Sequence, residues 1–172
     1  DQTEQERAQV ALRESESRLE TELADTRLLQ RIAMALIREE DIQSLYEKIM
    51  DAAVHIMRSD FGSMQMLVPE RRGGRGELLL LAHRGFTPKA AETWKWVSAD
   101  SHCICGETLR RDTRVIVPDF EACDFMAGTP GLDAYRTAGI RSAQTTTLRS
   151  RPGEVIGMIS THWRTPHDPS ER

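Results

Sequence analysis

Two cysteines and a histidine lie close together in the stretch "SHCIC", residues 101–105. His102, Cys103 and Cys105 offer an imidazole and two thiols, which bind soft metals and, as thiolates, act as nucleophiles. Cys123 follows eighteen residues after Cys105, and His162 lies near the end of a predicted strand. Four interpretations follow: a metal centre, a redox-active thiol, a covalent cofactor attachment point, or a packed core.

The spacing of these residues disfavours a metal centre. Structural zinc sites usually repeat a pair of cysteines two to four residues apart, whereas Cys103 and Cys105 are separated by one residue and no second pair follows. In a strand, alternation would also place His102 on the face opposite the two cysteines. We therefore predict no metal site.

Composition limits the class of protein. The chain has 172 residues, of which 39% are hydrophobic and 29% charged, which suits one core plus an extended segment. Two closely spaced cysteines favour a reducing compartment, and we find neither a leader peptide nor an apolar run long enough to cross a membrane. We expect a cytoplasmic location and, because residues 28–172 show no basic stripe, no nucleic-acid partner.

Residues 1–27 form a separate acidic segment with a helical pattern. Eight acidic residues against four arginines account for the whole formal net charge of −4. Neither glycine nor proline occurs from Glu4 to Asp41, and apolar residues recur at heptad spacing. We predict a coiled-coil linker helix that forms a homodimer, with an amphipathic helix lying on its own domain as the alternative. The predicted dimer residues are Leu12, Leu19, Leu23, Ala33 and Ile37.

Helical and strand patterns alternate after this segment. The predicted helices cover 42–57, 87–97, 106–112 and 131–139. The predicted strands cover 62–68, 76–85, 113–119, 140–150 and 154–163. Hairpins at both ends with short helices between them predict an α+β fold.

Three stretches carry a family resemblance: "CGETLRRDTRVIVPDF", "YRTAGIRSAQTTTLRSRPGEVIGMIST" and "HWRTPHDPSE". Their order and spacing resemble a GAF domain of bacterial multi-domain signalling proteins, especially sensor histidine kinases. The resemblance covers about residues 28–172 and implies a PAS-related antiparallel sheet of about six strands. Helices would pack on one face of this sheet and a ligand pocket would lie on the other. A final helix would begin near Ser170 and is truncated.

This resemblance implies a regulatory module and no enzymatic activity for the chain itself. The domain would sense a ligand or signal, in a two-component sensor histidine kinase, and relay it through a dimeric helix bundle. "ALRESESRLETEL" resembles the linker that follows a PAS domain, which implies a PAS-type input domain before it and a kinase-type output domain after it. The small-molecule ligand is unidentified, and the pattern names no cofactor.

Two alternatives to a ligand-sensing module are a thiol redox protein and a spacer domain. Free methionine sulfoxide reductases are similar to this chain at Cys105-Gly106 and around Cys123, and a thiol before a helix start is acidified by the helix amides. The redox-thiol candidates are therefore Cys103, Cys105 and Cys123, although the expected upstream partner cysteine is absent. A non-liganded dimerising spacer is a further alternative.

A bilin chromophore is the third possibility that the resemblance raises. "IGMISTHWRTP" is similar to the phytochrome strand that ends in a pocket histidine, which would place His162 in the cavity. The histidine precedes the cysteine in "SHCIC", and the Asp-Ile-Pro segment of those photoreceptors is missing, so bilin attachment is not expected.

Strand alternation puts Ser160 and His162 on one face, and this polar pair suits a pocket wall. Aromatic residues of the insert and of the long loop at 119–136 would complete the pocket. The alternative is that the cysteines and rings are buried core residues. The pocket candidates are Trp94, Trp96, His102, Cys103, Cys105, Phe120, Phe125, Tyr135, Ser160 and His162.

Overall fold

The computed structural model describes residues 2–38, 41–69 and 74–169, and the chain divides into two compact units, Asp1–Asp41 and Ile42–Arg172. Within the first unit, α1 (Gln2–Arg38) is one helix, as the absence of glycine and proline predicts. The expected boundary after residue 27 falls inside this helix. Ser170, where a final helix is expected, lies outside the described residues.

The leucines of the predicted heptad are exposed on α1. Leu12, Leu19 and Leu23 are 59%, 61% and 50% exposed. The side chains of Ala33 and Ile37 lie outside the described part of the chain. Dimerisation through this helix stays a prediction.

A six-stranded antiparallel sheet forms the centre of the second unit, with the strand order β3-β2-β1-β6-β5-β4. Its strands are β1 (Phe61–Val68), β2 (Glu77–Arg84), β3 (Trp96–Ser98), β4 (Val115–Val117), β5 (Ser142–Arg149) and β6 (Val155–Trp163). The first and last of the long strands, β1 and β6, are neighbours at the middle of the sheet. The predicted α+β fold with about six strands is confirmed.

Helices cover the two faces of the sheet. They are α2 (Ile42–Met57), α3 (Pro88–Thr93), α4 (Ile104–Arg111) and α5 (Pro130–Ala138), with a 3-10 turn at Phe120–Ala122. Helix α2 packs on the face that bears Gly62, where an added Cβ would lie 2.8 Å from Val54 Cγ2. The next residue, Ser63, faces the other side and pairs with Ser160, against which α4 packs. We call this second side the interior face.

Two predicted helix boundaries are wrong, and both affect the site. The helix predicted for 87–97 ends at Thr93, because Trp96–Ser98 pairs with β2 as an edge strand. The helix predicted to begin at residue 106 begins at Ile104, and Cys103 is its N-cap residue. The Cys103 thiol accepts a hydrogen bond from the backbone N–H of Gly106 at 3.4 Å. Cys105 therefore lies inside the first turn.

Arg75 connects the first hairpin turn to α4. Its Nη1 donates hydrogen bonds to the carbonyl oxygens of Leu109 at 2.8 Å and Arg110 at 2.5 Å. Carbonyls in the last turn of a helix lack partners within the helix, so this side chain caps α4. Arg75 thus gives the first hairpin a structural contact with α4.

Gly131 allows α5 to contact the segment that leads into α4. A Cβ at this position would lie 1.7 Å from the carbonyl oxygen of His102, which is a backbone atom. We predict that Gly131→Ala lowers the free energy of unfolding by about 2 kcal/mol in urea titrations, although alanine favours helices. The control is Gly128→Asn, at φ +71° with no neighbour within 4 Å, which should change little. Equal stability of Gly131→Ala and the wild type would contradict this contact.

Candidate functional site

A row of buried polar side chains runs across the middle of the interior face. We call it the polar row, and its members are Ser63, Gln65, Thr145, Ser160 and His162. Strand register brings them together: Ser160 lies opposite Ser63 on β1 and opposite Thr145 on β5. The sheet therefore presents hydroxyl, amide and imidazole groups where a purely structural core would present aliphatic ones.

Cys105 contacts the polar row from α4. The hydroxyl oxygens of Thr145 and Ser160 are 2.8 Å apart, and the Cys105 sulfur is 3.3 Å from the Ser160 oxygen. Because Cys105 lies in the first turn of α4, the helix start fixes its thiol over the sheet. The thiol and the two hydroxyls satisfy one another.

Three stacked rings lie in the same core. Tyr135 of α5 stacks on Phe120 at a centroid distance of 4.0 Å and on Trp94 at 5.0 Å. The Tyr135 hydroxyl accepts a hydrogen bond from the backbone N–H of Ile104 at 3.1 Å. This contact binds α5 to the beginning of α4, so the stack also positions the two cysteines there.

Two polar atoms of the row are buried without a hydrogen-bond partner among the described residues, Gln65 Oε1 and His162 Nδ1. The amide nitrogen of Gln65 donates to the carbonyl of Trp94 at 3.3 Å, which leaves its oxygen unused. Burial lowers the pKa of His162 to about 3, so the imidazole is neutral at pH 7. A buried polar group without a partner costs about 1–3 kcal/mol of stability. These two atoms therefore mark the place where a bound molecule would gain most binding free energy from hydrogen bonds.

The thiols are protonated at neutral pH. Burial raises the pKa of Cys103 to about 12 and also raises the pKa of Cys105 and of Cys123. A helix start lowers a thiol pKa when the thiol is accessible, but here the loss of hydration outweighs the amide dipoles. The acidification expected for Cys105 is therefore not found.

The other candidates do not converge on this point. His102 is exposed, Trp96 is half-buried on β3, and Phe125 is half-buried with the Arg111 guanidinium 5.6 Å from its ring centre. His102, Cys103 and Cys105 thus face different surroundings. Across residues 2–38, 41–69 and 74–169, no group of three or more histidine, cysteine or acidic side chains is placed to hold a metal ion.

A separate cleft of about 220 Å³ opens between α3 and α5. Trp94, one of the pocket candidates, contributes to its wall. Lys89 comes from one helix and Asp133 from the other. The remaining lining residues are Thr87, Ala90, Thr93, Ala134, Thr137 and Ala138.

Sequence reasoning missed Gln65 and Thr145. Gln65 was detectable, because serine and glutamine at alternate positions of an otherwise apolar strand place two polar groups on one face. Thr145 was not detectable, because threonine occupies three consecutive positions and the pattern does not indicate which of them faces the interior. The cleft also gave no signal, because it exists only where two distant helices pack together.

The family of this chain follows from its similarity to known sequences. Residues 39–172 match the family model described as the GAF domain. The chain belongs to the GAF domain family. No curated protein is significantly similar to it in sequence.

Solved structures share the GAF fold at low sequence identity. A domain described as that of a two-component sensor histidine kinase from Sinorhizobium meliloti is 18% identical, with 76% of this chain and 78% of that chain covered and a TM-score of 0.58. The GAF domain of an Acinetobacter phosphoenolpyruvate-protein phosphotransferase is 15% identical, with 84% and 80% covered and a TM-score of 0.63. The free methionine-R-sulfoxide reductase of Neisseria meningitidis, solved with its substrate, is 15% identical, with 86% and 77% covered and a TM-score of 0.63.

These identities show the fold and leave the activity open. No helix in the part of the chain that the structure describes is long and apolar enough to cross a membrane.

The burial of His162 predicts a specific pH dependence of stability. Between its ordinary pKa of 6.5 and about 3, the unfolded chain binds a proton at this residue that the folded chain does not. Stability should therefore fall as pH falls, with a slope from this group that approaches about 1.4 kcal/mol per pH unit.

The matched variant is His162→Leu, measured by urea unfolding from pH 7.5 to 5. Subtracting its curve removes the contributions of His83, whose pKa is also lowered, and of Glu107 and Asp119, whose lowered pKa values act at more acidic pH. Identical slopes in the variant and the wild type would contradict a buried, neutral His162.

Proposed function

We propose that this GAF domain is the regulatory sensory module of a signal-transduction protein of the two-component sensor histidine kinase type. A small molecule or signal acts at the interior face, and the helices relay the change to an attached output domain. A ligand transmits a signal only if it binds two conformations with different affinity, so the site must contact elements that can move.

The unpartnered atoms of Gln65 and His162 are the observation that carries this proposal. A spacer domain would gain stability from apolar residues at both positions, whereas a binding site benefits from polar atoms that wait for a partner. Ligand recognition explains why both groups lie on the face away from α2. Similarity to a domain of a sensor histidine kinase is consistent with the output that we propose.

The end of β6 offers a short route from the interior face to α2. His162 faces the interior, and its carbonyl oxygen accepts a hydrogen bond from the N–H of Asp60 at 3.0 Å. The next residue, Trp163, donates from its indole nitrogen to the carbonyl of Arg58 at 3.1 Å. Arg58 directly follows α2, so a shift of β6 at His162 would move the end of that helix.

The His162→Leu variant tests the sensing role. Leucine removes the unpartnered nitrogen at similar volume, so we predict a rise in Tm at pH 7.5 and loss of any response to ligand. The measurement is a thermal-shift screen of pooled polar metabolites against wild type and variant. Compounds that shift both proteins equally, or a screen with no active compound, would count against a sensing site at this face.

Dimerisation through α1 forms part of the proposal. Leu12, Leu19 and Leu23 follow the heptad spacing of a coiled-coil seam and are exposed within their unit. We predict that Leu19→Glu combined with Leu23→Glu weakens self-association at least tenfold in sedimentation equilibrium, because each seam would bury paired like charges. Val10→Glu, also an apolar residue of α1 but outside the seam, is the matched control. A monomeric wild type would overturn this part.

Thiol redox chemistry is the alternative function, and the fold shared with the Neisseria reductase is the reason to test it. A thiol whose pKa is raised provides little thiolate for attack on a sulfoxide. We predict that native protein at pH 7.5 reacts with iodoacetamide at Cys103 and Cys105 at least a hundredfold more slowly than urea-unfolded protein. Mass spectrometry of each cysteine peptide measures this. Fast labelling of Cys105, together with reduction of free methionine sulfoxide that Cys105→Ser abolishes, would favour the reductase.

A further inference from the structure

Four rings surround the side chain of Phe86. His83 stacks on it at a centroid distance of 5.5 Å and an angle of 17°, and Trp94 lies at 5.1 Å. His162 lies at 5.5 Å and Phe61 at 6.2 Å, both tilted. We call these four residues the aromatic cage. The chain therefore packs one of its own rings, itself half-buried, against four others on the interior face.

The cage is chemically mismatched to Phe86. Nδ1 of His83 and Nδ1 of His162 are both buried and have no hydrogen-bond partner among the described residues. The benzene ring between them offers neither a donor nor an acceptor. Gln65 donates a hydrogen bond from its amide nitrogen to the Trp94 carbonyl, and its Oε1 is a third unpartnered atom on the interior face. A planar group with a polar edge would offer a partner to His162, whose ring is tilted by 58° against that of Phe86.

Phe86 lies between β2 and α3, on a short segment that belongs to neither element. Its neighbours Gly85 and Thr87 are exposed, whereas its own side chain is half-buried. Gly85 adopts φ +80°, and a Cβ there would lie 2.7 Å from both the Asp60 oxygen and the Phe61 ring. Thr87 begins α3 as its N-cap. These two junctions are where the backbone angles would change on withdrawal of the ring.

The charges around the cage favour an uncharged ligand. Arg84, next to His83, is engaged by Asp51, with Nη2 to Oδ2 at 3.1 Å. The cage itself contains no carboxylate, lysine or arginine, and both histidines are neutral because burial lowers their pKa values. The exposed Arg164 guanidinium lies 4.5 Å from the centre of the Phe61 ring and disfavours a second cation there. An ion in this box would lose its hydration without gaining a counter-charge.

We propose that the aromatic cage binds an uncharged, planar heterocycle with nitrogen or oxygen atoms on two edges, and that Phe86 is a resident plug that this ligand displaces. The inference rests on the proposed sensory function, for which it names the ligand class. Stacking on His83 provides affinity, and Nδ1 of His162, whose ring is tilted by 58° against that of Phe86, provides selectivity over hydrocarbons of the same shape.

The test uses two probes of nearly equal shape, benzimidazole and indene, of which only the first has ring nitrogens. Phe86→Ala opens the cage, and binding is followed by tryptophan fluorescence and isothermal titration calorimetry at pH 7.5. We expect this variant to bind benzimidazole at least tenfold more tightly than indene, and at least tenfold more tightly than wild type does. Adding His162→Leu should reduce the preference over indene at least fivefold.

Three results would overturn the inference. These are equal or tighter binding of indene, a preference that survives with both His83→Leu and His162→Leu, and a nitrogen preference that is equally strong in wild type. If Phe86→Ala does not fold, Phe86→Leu leaves a smaller opening, and pyrazole and cyclopentene replace the two probes with the same expected order. Failure here would exclude this ligand class and leave the His162→Leu screen to decide the sensory function by itself.

Discussion

Antiparallel pairing of β1 with β6 at the centre of the sheet decides which side chains face the interior. Phe61 lies opposite His162 and Ser63 lies opposite Ser160. The register of this one strand pair therefore places members of both the polar row and the aromatic cage. Because side chains alternate along a strand, a slip of one residue would turn His162 outward and bring Trp163 inside. Gly157 protects this register, since a Cβ there would lie 2.3 Å from the carbonyl of Gln65 across the ladder.

The same alternation joins the interior face to the opposite side of the sheet. Two residues of the aromatic cage, His83 and His162, are each followed by a residue that contacts α2 or its end. Arg84 pairs with Asp51 of α2, and Trp163 bonds the carbonyl of Arg58. On two different strands, a residue of the cage is thus followed directly by a residue that contacts α2 or the residue after it. This arrangement supports the proposed sensory role with an argument that family membership alone does not provide.

Burial controls the chemistry of the stretch that the sequence marked as reactive. The Cys103 thiol caps α4 and the Cys105 thiol contacts the hydroxyls of Thr145 and Ser160, and both thiols are held in their neutral forms. Local spacing predicts a helix start within two residues of the observed one at Ile104 but cannot predict how much water reaches the two thiols. Water access depends on Tyr135 and Phe120, which come from segments more than ten residues away and cover the beginning of α4.

Periodicity was sufficient for the α+β fold, for α2 and for the two long hairpins, since their apolar patterns extend over eight or more residues. The short elements were harder: β3 has three residues and is defined by its pairing with Leu79 rather than by its own pattern. For the site, Ser160 and His162 follow from alternation. The role of Phe86 depends on where four other rings lie in space, which no spacing in the sequence records.

Fluorine NMR of protein labelled with 5-fluorotryptophan tests the link between the cage and α2 most directly. The chain has three tryptophans: Trp94 lies in the cage, Trp96 on the edge strand, and Trp163 at the end of β6, where it bonds Arg58 just after α2. On filling the opened cage of Phe86→Ala with benzimidazole, we expect the resonances of Trp94 and Trp163 to shift together and that of Trp96 to stay in place. A shift of Trp94 with an unchanged Trp163 would contradict transmission along β6.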